Sequence, residues 1–151
     1  MLASPIITNI RSKIDDQDSQ EYEDEQIASY INDAIDLVWL QLVMVRNNEV
    51  IAKLTITTPS QTLPIDFQAI ACREPVSIIG NTIEAYGTLP MSVLYFKSPQ
   101  HIVDGNSNMP FMNATFNNVV AQVASYILLN KSEFDITQDK MLTDELRKML
   151  I

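Results

Sequence analysis

Apolar positions recur along the chain with helical spacing at both ends and with strand-like alternation in the middle. Ser4 followed by Pro5 marks a helix start, a capping residue and then a proline at the first helical position. Ile7, Ile10 and Ile14 then fall on one face, predicting a short helix over residues 5–15. A second helix is predicted over residues 24–47, where Ile27, Ile31, Ala34, Ile35, Val38, Leu42 and Val45 recur at spacings of three and four. Asn32, Asp33 and Asp36 occupy its other side. Beyond Asp36 the run LVWLQLVMV is almost wholly apolar, so the second half of this helix is expected to be buried on most sides.

The period then changes. Residues 50–58 (VIAKLTITT) alternate and are rich in β-branched side chains, as a strand requires. Leu63 to Phe67 reads as an extended link leading into a short helical piece through Ile70. Residues 75–79 and 82–86 flank Gly80–Asn81 as a hairpin with a two-residue turn, and residues 90–97 (PMSVLYFK) give a further strand. The short connections make these three or four strands antiparallel. After a loop at 100–112, Phe116, Val119, Val120, Val123, Ala124, Ile127 and Leu128 set a helix over 113–131. Asp135 as a cap, with Gln138 three residues on, opens a last helix over 136–150.

The expected architecture is therefore α+β and mainly α. It has about four helices, two N-terminal and two C-terminal, with a small antiparallel sheet or hairpin over about 50–97 inserted between them. At 151 residues the simplest organisation is one domain, 1–151. Composition agrees with a globular chain: 46% of residues are apolar and 19% charged. No segment near Met1 reads as a signal peptide and no apolar run reaches the ~20 residues of a membrane span, so synthesis inside the cell is expected.

Charge narrows the function. There are 19 acids against 10 bases, a net charge of −9, and no basic run longer than Arg147–Lys148. Affinity for nucleic-acid phosphates comes largely from Lys and Arg, so groove reading and strand tracking are disfavoured. Seven of the acids crowd residues 15–25, DDQDSQEYEDE. Asp16, Asp18 and Gln20 have the first three spacings of a calcium loop. However, Glu21 stands where a glycine is needed for the turn, and Ile27 stands where a bidentate Glu is needed. The segment reads instead as a solvated loop whose last acids favour the positive start of the next helix.

Enzymatic chemistry finds little support. The glycines, Gly80, Gly87 and Gly105, form no phosphate-cradling loop. The single histidine, His101, has no neighbouring nucleophile in sequence and reads as an exposed loop residue. Cys72 is the only cysteine and reads as a small buried side chain. The acids lie on an expected surface loop, where solvation keeps two carboxyl groups from splitting into acid and base. No catalytic residue, cofactor or metal is expected.

The order of features nevertheless resembles one known family. After the acidic loop come Tyr22, Asp24, Glu25 and Ile27, then the step Tyr30–Ile31–Asn32. An alternating strand follows, then Leu63, Pro64, Asp66 and Phe67 as LPIDF, and near the end Gln138–Asp139 before the last helix. This succession resembles the head–tail connector (adaptor) proteins of tailed bacteriophages, and it departs from them in the long acidic loop and in the hairpin around Gly80–Asn81. The resemblance implies a structural virion protein of the capsid–tail neck, made in the host bacterial cytoplasm. It implies a homo-oligomeric ring, typically of twelve copies, that docks on the portal protein, extends the DNA channel without binding DNA specifically, and attaches tail or stopper proteins. No membrane partner is implied. A small non-enzymatic protein-binding adaptor module of cellular origin is the other reading that the helices and sheet would serve.

Under the connector reading, Asp15, Asp16, Asp18, Glu21, Glu23, Asp24 and Glu25 of the loop, with Asp33 and Asp36 of the second helix, are expected on the channel wall or at a subunit junction. There they would repel passing phosphates; equally, the −9 charge serves simple solubility. The apolar C-terminus, with Met141, Leu142, Met149, Leu150 and Ile151, is expected either to contact the portal or a neighbouring subunit, or to pack on the third helix.

Overall fold

The structure is a computed structural model and describes residues 1–18, 21–130, 144 and 146–148. It divides into two compact units, one helical (Met1–Val45 with Pro99–Ile151) and one of strands (Arg46–Ser98).

In the helical unit, α1 runs Ser4–Lys13. Ala3 rather than Ser4 is the residue before its first turn. The free N–H groups there are met from outside the helix: Ala3 N–H donates to the Ser107 carbonyl and Ser4 N–H to the Gly105 carbonyl, both at 2.9 Å. Ile6, Ile7, Ile10 and Arg11 are buried.

Helix α2 spans Asp24–Met44. Gln26 accepts from Glu23 N–H at 3.0 Å, and Asp24 and Glu25 complement the dipole of the first turn. Its inner stripe, Ile27, Ile31, Ala34, Ile35, Val38 and Leu42, is fully buried. At 21 residues it is long and apolar enough to cross a membrane, but these contacts make it the core helix of its unit. Helix α3, Ala114–Leu129, starts at Asn113, whose side chain accepts from Thr115 N–H at 2.9 Å. It buries every position of the predicted stripe, and also Asn117, Ala121 and Ser125. Trp39 of α2 and Phe116 of α3 both meet Phe111, with ring centroids 5.7 and 5.9 Å apart. The predicted last helix lies mostly outside the described residues; Asp144 and residues 146–148 are helical, with Leu146 buried.

The strand unit corrects the expected architecture. Six strands form two three-stranded antiparallel sheets, in place of a small sheet or hairpin inserted in a mainly α fold. In one sheet β6 (Met91–Lys97) lies between β1 (Ile51–Ile56) and β3 (Phe67–Ile70). In the other, β5 (Thr82–Ala85) lies between β2 (Ser60–Thr62) and β4 (Val76–Ile79). Ile56, Leu63, Ile83 and Val93 form a core of their own, joined by Leu54, Phe67 and Ile70.

The segment Phe67–Ile70 was expected to be helical and is a strand, for an identifiable reason. Its pairing with β6 passes from Phe67↔Lys97 to Ala69↔Phe96, so Gln68 is an extra residue, a β-bulge. The bulge lets Phe67 and Ile70, three apart, both pack on the core cluster, which imitates helical spacing. The three polar residues of β2 gave no alternating signal at all. The hairpin matches the expected turn, β4 and β5 pairing through Ile79↔Thr82 around Gly80–Asn81. Gly80 has φ +59° and Asn81 is not left-handed, which is the backbone pattern of a II′ turn.

Candidate functional site

The acidic loop is built around a base that comes from outside it. Arg11 stands on the stripe of α1 beside Ile10, and its guanidinium reaches Asp16 Oδ2 at 2.6 Å and Asp24 Oδ1 at 2.5 Å. The Arg11 and Asp16 side chains are only 9% and 2% exposed. Asp16 also accepts from the backbone N–H groups of Glu21 and Tyr22, at 3.0 and 3.2 Å. One buried carboxylate thus fixes the loop to both the end of α1 and the start of α2. Charge-assisted hydrogen bonds of this kind are the strong ones, and breaking such a pair leaves a buried charge uncompensated.

This places the sequence-predicted acids unequally. Asp16 faces inward and is not available to a channel or a junction. Asp15, Asp18, Glu21, Glu23, Asp24 and Glu25 are exposed, although Asp24 shares Arg11 with Asp16. Among the described residues no group of three or more acids, His or Cys is arranged to hold a metal ion.

The outer face of α2 carries Asp33 and Asp36, both exposed. His101 Nε2 lies 2.8 Å from Asp36 Oδ1. Burial and the neighbouring Asp36 charge push the Asp33 carboxyl above its ordinary value, with His101 opposing. Beside them, the half-buried Asn32 forms a two-point clamp. Its Nδ2 donates to the Ile102 carbonyl and its Oδ1 accepts from Ile102 N–H, both at 2.9 Å. One side chain of α2 thereby satisfies the backbone of a buried residue 70 positions away, and His101 comes to rest on Asp36 as a consequence.

One turn beyond Asp36 the same face becomes apolar and stays exposed. Leu40 is 54% and Met44 57% exposed, with Leu37 and Val43 half-buried. The second half of α2 was expected to be buried on most sides. Its inner stripe is, but the outward line continuing Asp33–Asp36 is not.

In the strand unit, the LPIDF residues close the sheet. Asp66 Oδ1 accepts from Tyr95 O–H at 3.0 Å, the Asp66 carbonyl accepts from Ser98 N–H at 2.7 Å, and the Phe67 and Tyr95 rings lie 5.6 Å apart. Burial and the Asp66 carboxylate hold the Tyr95 hydroxyl above its ordinary value. Next to this link a groove of about 600 Å³ opens, its apolar wall made by Leu63, Pro64, Ile65, Phe67 and Ile78 and the rest of its lining by Gln68, Gly80 and Asn81. Ile65 is fully exposed at its rim. Cys72, expected to be buried, is half-buried, its sulfur 3.2 Å from Leu94 N.

Met141, Met149, Leu150 and Ile151 lie outside the described residues. Arg11, Asn32 and the Leu40–Met44 line were missed as site features. A base on an apolar stripe was the available signal for Arg11, whereas the 70-residue separation hid the Asn32 clamp. No protein-family model matches the chain, and no curated protein does.

Proposed function

We propose that this chain is a ring-forming structural subunit of the neck of a tailed bacteriophage, a head–tail connector that docks on the portal ring, extends the DNA channel and offers a seat to tail or stopper proteins. The observation that supports this reading best is what the residues behind the resemblance do. Asn32 of the Tyr30–Ile31–Asn32 step clamps Ile102, and Asp66 of LPIDF holds Tyr95. In both units the shared positions are tertiary fasteners, the kind of residue that a common architecture retains while its surface changes.

The distribution of charge favours the same reading. Residues 46–98 contain four acids and four bases, which cancel. The other 15 acids and 6 bases leave the whole −9 on the helical unit. A channel that DNA must pass freely is served by a wall that repels phosphates, within about 8 Å at physiological salt.

The test is electron microscopy of the purified chain mixed with portal rings encoded by the same genome. The expected result is a second ring seated on the portal, coaxial with it and open at its centre. A chain that stays monomeric with portal rings present refutes the proposal.

A further inference from the structure

Among the described residues each unit exposes a surface without charge, an apolar helix line on one and a groove of mixed lining on the other, where Gln68, Gly80 and Asn81 stand among the apolar residues. On α2, Leu37, Leu40 and Met44 follow one another at i, i+3 and i+7, and residues 37–45 contain no charged side chain. On the strand unit, the groove beside Ile65 and Ile78 is lined by no charged residue either. We infer that these surfaces are the two halves of one contact between copies: the Leu37–Leu40–Met44 line of one chain seats in the groove of the next.

Spacing and volume are compatible with such a contact. Helix-in-groove recognition uses apolar anchors at i, i+3 or i+4, and i+7, the spacing present here. Leu40 and Met44 are four residues apart, about 6 Å along the helix axis, and so stand as adjacent knobs. The groove lies within the range of about 300–1,000 Å³ typical of pockets that take apolar groups. The groove also reaches an outer strand, β4, through Ile78. Of the outer strands, β1 carries Lys53, β2 is three residues long and polar, and β3 is bulged, all recognised protections against stray pairing. The outer strand β4 has neither charge, proline nor bulge, and it exposes Ile78 and Ile79. A helix laid against an edge is another such protection.

Charge selects a second copy as the occupant. Two helical units meeting face to face would set acids against acids. A basic foreign partner would be drawn to the exposed acids around Glu25, Asp33 and Asp36 rather than to an uncharged groove. The neutral strand unit is where another copy approaches without repulsion, and its complement, an uncharged helical line, is carried by the chain itself. Because the halves differ, the contact is head-to-tail and repeats, closing a ring or continuing as a filament. The inference rests on the reading of the chain as one that assembles with itself.

The experiment uses Leu40→Glu, which spoils the helix half, and Ile65→Glu, which spoils the groove half. Both positions are exposed, and circular dichroism melts of the variants should match the wild type. Sedimentation velocity is then run from micromolar to sub-millimolar protein, at salt sufficient to screen the net charge. The wild type is expected to grow beyond a dimer as concentration rises. Each variant alone should associate roughly 30-fold more weakly or worse, the factor for losing one buried aliphatic side chain. An equimolar mixture should form heterodimers and stop there, since each variant keeps the half that the other lacks. A wild type monomeric throughout overturns the inference, as do variants that assemble normally or a mixture that stays monomeric while the wild type assembles. Variants that form rings on the portal as the wild type does overturn this contact and leave the ring reading standing. Failure of the wild type to form any ring there overturns the ring reading itself.

Discussion

Removing the Asn32 side chain tests how the helical unit is held. Asn32 supplies both partners of the Ile102 backbone, and Ile102 is 2% exposed, so water cannot readily replace them. A neutral hydrogen bond contributes about 0.5–1.5 kcal/mol net, but a buried donor or acceptor left without a partner costs about 1–3 kcal/mol. Two such groups are orphaned in Asn32→Ala. The higher helix propensity of alanine returns about 0.5 kcal/mol. The expected loss is therefore about 1.5–5.5 kcal/mol, or a fall in melting temperature of roughly 5–20 °C at this chain length. Trp39, the single tryptophan, is buried on the same helix against Phe111, so urea unfolding followed by its fluorescence reports this unit.

Asn32→Asp separates the clamp from a mere packing effect. An ionised Asp still accepts from Ile102 N–H but turns a second acceptor toward the Ile102 carbonyl. At neutral pH it should cost as much as alanine. Protonation restores the missing donor, so the folded state raises the pKa of this carboxyl above its unfolded value. Its favourable contribution is fully present below the unfolded value, about 3.9, and is lost as pH rises through the folded one. The deficit relative to wild type should thus shrink on acidification. A loss below about 0.5 kcal/mol for Asn32→Ala, the size of an ordinary surface change, with a deficit in Asn32→Asp that ignores pH, refutes the clamp.

Three further outcomes follow from the same geometry. Arg11→Met strands the buried Asp16 carboxylate and should cost about 3 kcal/mol; adding Asp16→Asn, which removes the charge and keeps an acceptor for the Glu21 and Tyr22 N–H groups, should recover part of it, and a single-variant loss below about 1 kcal/mol would show the pair to be solvated. Asp33→Asn should raise the urea midpoint at neutral pH, because the raised Asp33 pKa means that its ionised form opposes folding. That advantage should vanish below 3.8, the ordinary Asp value, where both chains are neutral at this site; an advantage that persists there points to another cause. Gly80→Ala should destabilise the strand unit by about 1 kcal/mol, from backbone strain alone, since nothing lies within 4 Å of the new methyl group. Gly80→Asn should cost less, as read from the loss of sheet circular dichroism on heating.

The parts of the fold that were legible in the sequence are those where one period runs uninterrupted. The inner stripes of α2 and α3 are buried where the spacing predicts, except at Val45, which lies past the last residue of α2 and is 48% exposed, because a helix that packs one face repeats its environment every three to four residues. What was not legible depends on partners distant in sequence. The Phe67–Ile70 strand hides behind the bulge at Gln68, and β2 is held by backbone pairing to β5 rather than by apolar side chains. Residues 15–25 look like an unrelieved run of acids until Arg11 folds back onto them. Asn32 looks like one more polar residue on an outer face until the segment at Ile102 arrives.

The outer line of α2 separates two placements of the acids that the sequence left equivalent, channel wall and subunit junction. Asp33, Asp36, Leu40 and Met44 lie on one continuous face that is acidic in its first half and apolar in its second. Burying the apolar half against a neutral groove is favourable. Burying Asp33 and Asp36 with it, against a surface that offers no matching cation, would cost several kcal/mol for each charge. The His101–Asp36 pair does not change this, because half-exposed partners contribute at most about 1 kcal/mol. If Leu40 and Met44 are in the contact, the acids must stop at its margin and remain in water. The contact between copies then fixes where the acidic face points, and the exposed acids of residues 15–25, tied through Arg11 to the start of the same helix, stay on the wet side with it. In an assembled ring, Leu40 should become protected from solvent while Asp33 keeps its access, and a ring in which both are buried would contradict this division of the helix.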